Sequence, residues 1–112
     1  MKVAISSTGE KLTDNISEFF GRCPYFIIVE IDDQEIGEMQ VFKNENENQT
    51  GGAGILTAKF LAEKNINAVI AKSVGPRAMD VLKQFNIEMY EGEGVIEDSL
   101  QKFINNKLNK IN

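Results

Sequence analysis

Histidine and tryptophan are absent from the 112 residues, cysteine occurs once and proline twice. Without histidine there is no Ser-His-Asp or Cys-His catalytic machinery, and one thiol can neither close an internal disulfide nor complete a structural zinc site. Long apolar runs are missing too. Phe26-Ile27-Ile28-Val29 falls far short of the roughly 20 residues a membrane helix needs, and the apolar run within Met1 to Ser6 is too short for a secretory signal. The expectation is a cytoplasmic setting with no membrane partner. Basic excess is likewise lacking: twelve Lys and Arg against seventeen Asp and Glu give a net charge of -5, which opposes the counterion release behind nucleic-acid binding. No Gly-Lys-Ser/Thr follows the glycines, which excludes a P-loop. Val3-Ala4-Ile5 and Ala68-Val69-Ile70-Ala71 carry none of the carboxylates that a two-metal nuclease projects from its central strands.

What remains is 42% hydrophobic and 26% charged, ordinary for a folded chain, and at this length it reads as a single domain over residues 1–112. Val3-Ala4-Ile5, ending in Ser6-Ser7-Thr8-Gly9, predicts a buried first strand. Ile16, Phe19 and Phe20 fall at helical spacing between Thr13 and Gly21 and predict a short helix. Tyr25 to Ile31 and Ile36 to Phe42, joined at Asp32-Asp33-Gln34, predict a hairpin with a half-exposed outer strand. Lys43 to Gln49 has no apolar period and reads as a polar loop. Thr50-Gly51-Gly52-Ala53-Gly54 opens a helix to about Lys64, Asn67 to Ala71 is a buried strand, and Gly75-Pro76 starts a helix with Ala78, Val81, Leu82 and Phe85 along one face. Ile87 to Tyr90 alternates like an edge strand, and a last helix is expected from about Val95 to Leu108. Helical crossovers make strands four and five parallel to their neighbours, whereas the tight hairpin makes strands two and three antiparallel. The resulting fold class is α/β: a five-stranded mixed sheet in order 3-2-1-4-5, with strand two antiparallel.

That order sends most of the glycines to the carboxyl edge of the sheet, where ligands of open α/β sheets bind. Gly51, Gly52 and Gly54 precede a helix whose free amides and positive dipole end suit an anion; they serve equally to allow close helix–sheet packing. Gly75 and Pro76 make a second helix start, with Lys72 and Arg77 adding charge that solvation alone also explains. Gly92-Glu93-Gly94 reads as a structural turn. Gly21-Arg22-Cys23-Pro24 places a guanidinium beside the lone thiol, favouring the thiolate that binds metal or attacks electrophiles. A buried, inert cysteine is the plainer account.

Taken in order, Met1-Lys2-Val3-Ala4-Ile5, Gly21-Arg22-Cys23-Pro24-Tyr25-Phe26, Gly51-Gly52-Ala53-Gly54-Ile55, Val69-Ile70 with Gly75-Pro76-Arg77-Ala78, and Ile87 to Leu100 resemble the dinitrogenase iron-molybdenum cofactor biosynthesis family over nearly the whole chain. The resemblance implies a three-layer α/β/α, ribonuclease-H-like fold. It also implies transient binding of an anionic iron-sulfur or iron-molybdenum cluster, with a cluster donor or acceptor protein as partner. On that basis Arg22, Cys23, Gly51, Gly52, Gly54, Lys72, Gly75 and Arg77 form the candidate site, and Cys23 is the candidate metal ligand. A homodimer would bring two such thiols. Two other readings stay open: a small enzyme acting on an anionic metabolite with Cys23 as nucleophile, and a regulatory interaction module.

Overall fold

Along the chain run β1 (Lys2–Ser7), β2 (Tyr25–Asp32), β3 (Glu35–Lys43), α1 (Ala53–Glu63), β4 (Ala68–Ala71), α2 (Pro76–Gln84), β5 (Glu88–Glu91) and α3 (Ile96–Ile104), in a computed structural model that describes residues 1–111. The strands lie in the order β3-β2-β1-β4-β5. β2 is antiparallel to both β1 and β3, while β1 pairs parallel with β4 and β4 with β5. Four strands therefore share one direction, and their carboxyl ends form a single edge. The hairpin turn is a two-residue one, with Asp33 at φ 51° and Gln34 at φ 65°, the left-handed pair that matches strand twist.

Because side chains alternate across a strand, each central strand feeds two cores. Ala4, Phe26, Ile28, Val69, Ala71 and Met89 pack under α1 and α2, against Leu61, Ala78 and Leu82. Val3, Ile5, Ile27, Val29, Ala68 and Ile70 meet Ile96 and Leu100 of α3 on the other face. The sheet is thus the middle of three layers.

Three local expectations are corrected. The segment from Thr13 to Gly21 forms no helix. It is a run of turns and bends pinned by isolated bridges at Asn15 and Ile16, with Ile16 N–H donating to the Gly94 carbonyl at 2.8 Å and Ser17 N–H to the Ser6 carbonyl at 2.9 Å. Ile16 joins the α3 core and Phe20 the opposite one, edge-on to Phe26 at 5.6 Å between ring centroids. Their spacing reflects two tertiary destinations, not one helical face. Phe85 lies just past α2 and is 56% exposed; Ala78 and Leu82 alone are fully buried on that helix. The last helix stops at Ile104, where Asn106 takes a left-handed conformation (φ 58°) and Lys107 N–H returns to the Lys102 carbonyl at 2.7 Å. This Schellman-type end turns the tail back along β5, so that Ile111 N–H reaches the Met89 carbonyl at 2.9 Å.

Candidate functional site

At the carboxyl edge, the starts of α1 and α2 lie side by side. An α-helix leaves its first amides without intrahelical acceptors, and neither helix has a side-chain cap. The amides of Ala53, Gly54 and Ile55, and those of Arg77 and Ala78, are therefore open donors; Pro76 has none to offer. The third helix differs. Its first amides are closed by the loop that replaced the expected short helix, Ile96 N–H donating to the Asp14 carbonyl at 2.9 Å and Glu97 N–H to the Leu12 carbonyl at 3.0 Å.

Close packing brings the two open helix ends together. A Cβ on Gly54 would sit 3.3 Å from the Ala78 Cβ, and one on Gly21 would sit 2.6 Å from Gly54 N and 2.7 Å from its Cα. Gly21 is thus required by contact with the start of α1 and does not terminate a helix. The left-handed backbone of Gly51 and Gly52 (φ 74° and 70°) makes the sharp entry to α1. Between these walls opens a cleft of about 480 Å³, lined by Gly21, Arg22, Gly52, Gly54, Gly75 and Arg77 together with exposed Phe19 at the rim and buried Phe20. Arg22 and Arg77 are exposed, and neither forms an ion pair among the described residues.

Five of the eight candidate residues, Arg22, Gly52, Gly54, Gly75 and Arg77, therefore share one cleft. Gly51 shapes its entry without lining it. Lys72 points elsewhere, into a neighbouring cleft of about 530 Å³, where its Nζ lies 3.5 Å from Glu18 Oε1. Cys23, the candidate ligand, is 0% exposed, as the plainer account of a lone buried cysteine has it. Burial pushes its thiol from 9.0 to about 12, while hydrogen bonds from the Ser7 backbone and the Asn44 side chain pull only partly the other way. Desolvation dominates, and the groups that pull the thiol down are hydrogen bonds and not the charge of the adjacent arginine. Cys23 is not among the residues that line the cleft, and its buried thiol is held toward the protonated form. Among the described residues no group of three or more His, Cys, Asp and Glu is placed to hold a metal ion.

Two contributors lay outside the sequence reading. Phe19, expected on a helix, is a rim residue 64% exposed. Asn44, read as part of a polar loop, is buried: its Nδ2 donates to the Gly21 carbonyl at 3.1 Å and the Cys23 carbonyl at 2.9 Å. Its only sequence signal is its position directly after the outer strand, where its N–H continues the ladder to the Pro24 carbonyl at 2.9 Å.

This architecture recurs in known proteins. An uncharacterised protein of Methanocaldococcus jannaschii is 34% identical over 111 residues, 98% of this chain and 91% of the relative. A Thermotoga protein solved by NMR superposes with a TM-score of 0.83 at 28% identity, covering 98% of this chain and 92% of that one. The apo form of the orange protein from Desulfovibrio gigas shares the fold with a TM-score of 0.87, over 97% of this chain and 91% of that one, at 23% identity. No helix among the described residues is long and apolar enough to cross a membrane. With residues 1–106 matching the family model for the dinitrogenase iron-molybdenum cofactor, this chain belongs to that family.

Proposed function

We propose that the protein is an accessory or carrier protein that holds an iron-sulfur or iron-molybdenum type cluster, or another small anion, in the cleft between the starts of α1 and α2. The observation that carries this reading is the convergence of two uncapped helix N-termini with the unpaired Arg22 and Arg77. Helix amides and their dipoles favour negative charge, and guanidinium groups add charge-assisted hydrogen bonds. The donor set also limits the mode of binding. With Cys23 buried and histidine absent, the cleft offers no metal ligand of its own except exposed carboxylate such as Glu18. The cargo is therefore one that arrives with its coordination shell complete and is gripped through its outer atoms. A donor or acceptor protein would hand it over at the open rim beside Phe19.

Equilibrium dialysis against molybdate and tetrathiomolybdate, closed-shell oxo and thio dianions, tests the reading. Saturable uptake that falls in Arg22→Ala and Arg77→Ala and persists in Cys23→Ser is the expected result. Absence of uptake, or uptake lost only with Cys23, would overturn it.

A further inference from the structure

One backbone carbonyl at this site is held with unusual thoroughness. The Gly21 carbonyl accepts from Asn44 Nδ2 at 3.1 Å and from Thr57 Oγ1 at 3.1 Å. Both donors are buried, Thr57 on α1 and Asn44 just after β3. Asn44 is itself fixed. Its Oδ1 accepts from Asn46 N–H at 3.0 Å, its N–H bonds the Pro24 carbonyl at 2.9 Å, and its Nδ2 also reaches the Cys23 carbonyl at 2.9 Å. Two buried side chains from different elements thus use both lone pairs of one carbonyl.

The consequence lies on the other side of the same peptide. A peptide unit is planar and trans, and no cis bond occurs among the described residues. A Gly21 carbonyl drawn toward Asn44 and Thr57 forces the following N–H, that of Arg22, to point away from those two side chains, and both Gly21 and Arg22 are among the residues that line the cleft. The Arg22 N–H has no hydrogen-bond acceptor among the described residues. Glycine at 21 makes such a locked orientation necessary. It lets the chain pass within contact distance of Gly54 N, but it leaves the peptide freer to flip than any other residue would.

From this geometry we infer that Asn44 and Thr57 are positioning residues of the anion site: they lock the Gly21–Arg22 peptide so that the Arg22 N–H becomes a further donor to the bound anion. The inference rests on the anion-carrier reading above and extends it from the helix ends to the loop. It also gives the buried amide of Asn44 a role at the site, although Asn44 does not line the cleft.

The test uses tetrathiomolybdate as the probe, with amide shifts read by NMR and affinity by dialysis. In the wild type the Arg22 amide resonance moves on titration, together with those of Gly54 and Ile55. Thr57→Val keeps the shape and removes the hydroxyl. It should weaken binding roughly three- to tenfold, the range expected for one neutral hydrogen bond, and shrink the Arg22 response. Thr57→Ser should restore both. In an Arg22→Pro background, where that amide no longer exists, Thr57→Val should have no further effect on affinity, because the two changes act through one group. Wild-type affinity in Thr57→Val, an Arg22 amide that does not respond, or additivity in the double variant would each overturn the inference while leaving the carrier reading standing. No uptake by the wild type would overturn both.

Discussion

Replacing Cys23 with alanine isolates the ionisation of the buried thiol from every other alkaline titration in the molecule. The unfolded thiol ionises near 9.0, whereas burial raises the native one to about 12. Above pH 9 the unfolded state loses this proton and the native state keeps it. The stability that the thiol contributes is therefore complete below about pH 9 and is lost as pH rises toward 12. Linkage sets the slope at about 1.4 kcal/mol per pH step within that window, so on the order of 2 kcal/mol is gone by about pH 10.5. Urea unfolding followed by circular dichroism at intervals from about pH 8 to 11 reads the effect directly. Tyr90 and Lys110, whose values are also raised, titrate alike in both proteins, so the difference between the wild-type and Cys23→Ala slopes belongs to Cys23. The variant's lower overall stability, expected from the cavity it leaves, does not alter that comparison. Parallel slopes, or a native thiolate absorbance appearing near pH 9, would refute the buried, protonated thiol. An accessible cysteine would then return as a ligand.

Gly21→Ala should cost roughly 1–3 kcal/mol, the range for overpacking a close contact, because its Cβ would lie 2.6 Å from backbone of α1; Gly75→Ala, with nothing within 4 Å, should be nearly neutral in the same thermal melts. Gly92→Ala meets Ile70 Cγ2 at 2.7 Å and Ile16 Cδ1 at 2.9 Å at a buried position just after β5, so it should also lower the melting temperature. Glu88 is held below its ordinary value chiefly by the hydrogen bond from Lys110. That contribution is present above the unfolded carboxyl pKa and is lost as pH falls through the lower native one; an NMR titration should show Glu88 returning to its ordinary value in Lys110→Met. The acidic balance predicts no retention by DNA or RNA at about 0.15 M salt, and gel-shift assays check it.

The strand order was legible because its signals are local: an Asp-Asp-Gln turn between two β-rich runs, and glycines or proline opening each crossover helix. Burial of the central strands was equally legible, since Val3-Ala4-Ile5 and Ala68 to Ala71 are apolar on both faces and the sheet is covered on both. The expected helix near Ile16 failed because Phe20 and Ile16 serve opposite cores and the backbone N–H groups of Ile16 and Ser17 go to the carbonyls of Gly94 and Ser6, outside the segment. That Arg22, Gly52, Gly54, Gly75 and Arg77 would come together was legible from the topology that carries their loops to one edge. The burial of Cys23 was legible only as the plainer of two accounts. Its neighbouring arginine suggested a reactive thiol, but Asn44 and Thr57 hold the Gly21 to Cys23 backbone from the buried side, and their alignment with the Gly21 carbonyl exists only after β3 and α1 have docked. Phe19 gave no signal, since an apolar residue at helical spacing is ordinarily core.

The contact between Gly21 and the start of α1 bears on how fast cargo can exchange. With no side chain between them and the Thr57 bond spanning the join, the loop and the helix end form a single rigid jaw that has no hinge at this point. If the cleft holds an anion as proposed, exchange would need only rotation of exposed side chains such as Phe19, Arg22 and Arg77, motions of picoseconds to nanoseconds, and the residence time would be set by the strength of the contacts and not by the opening of a lid.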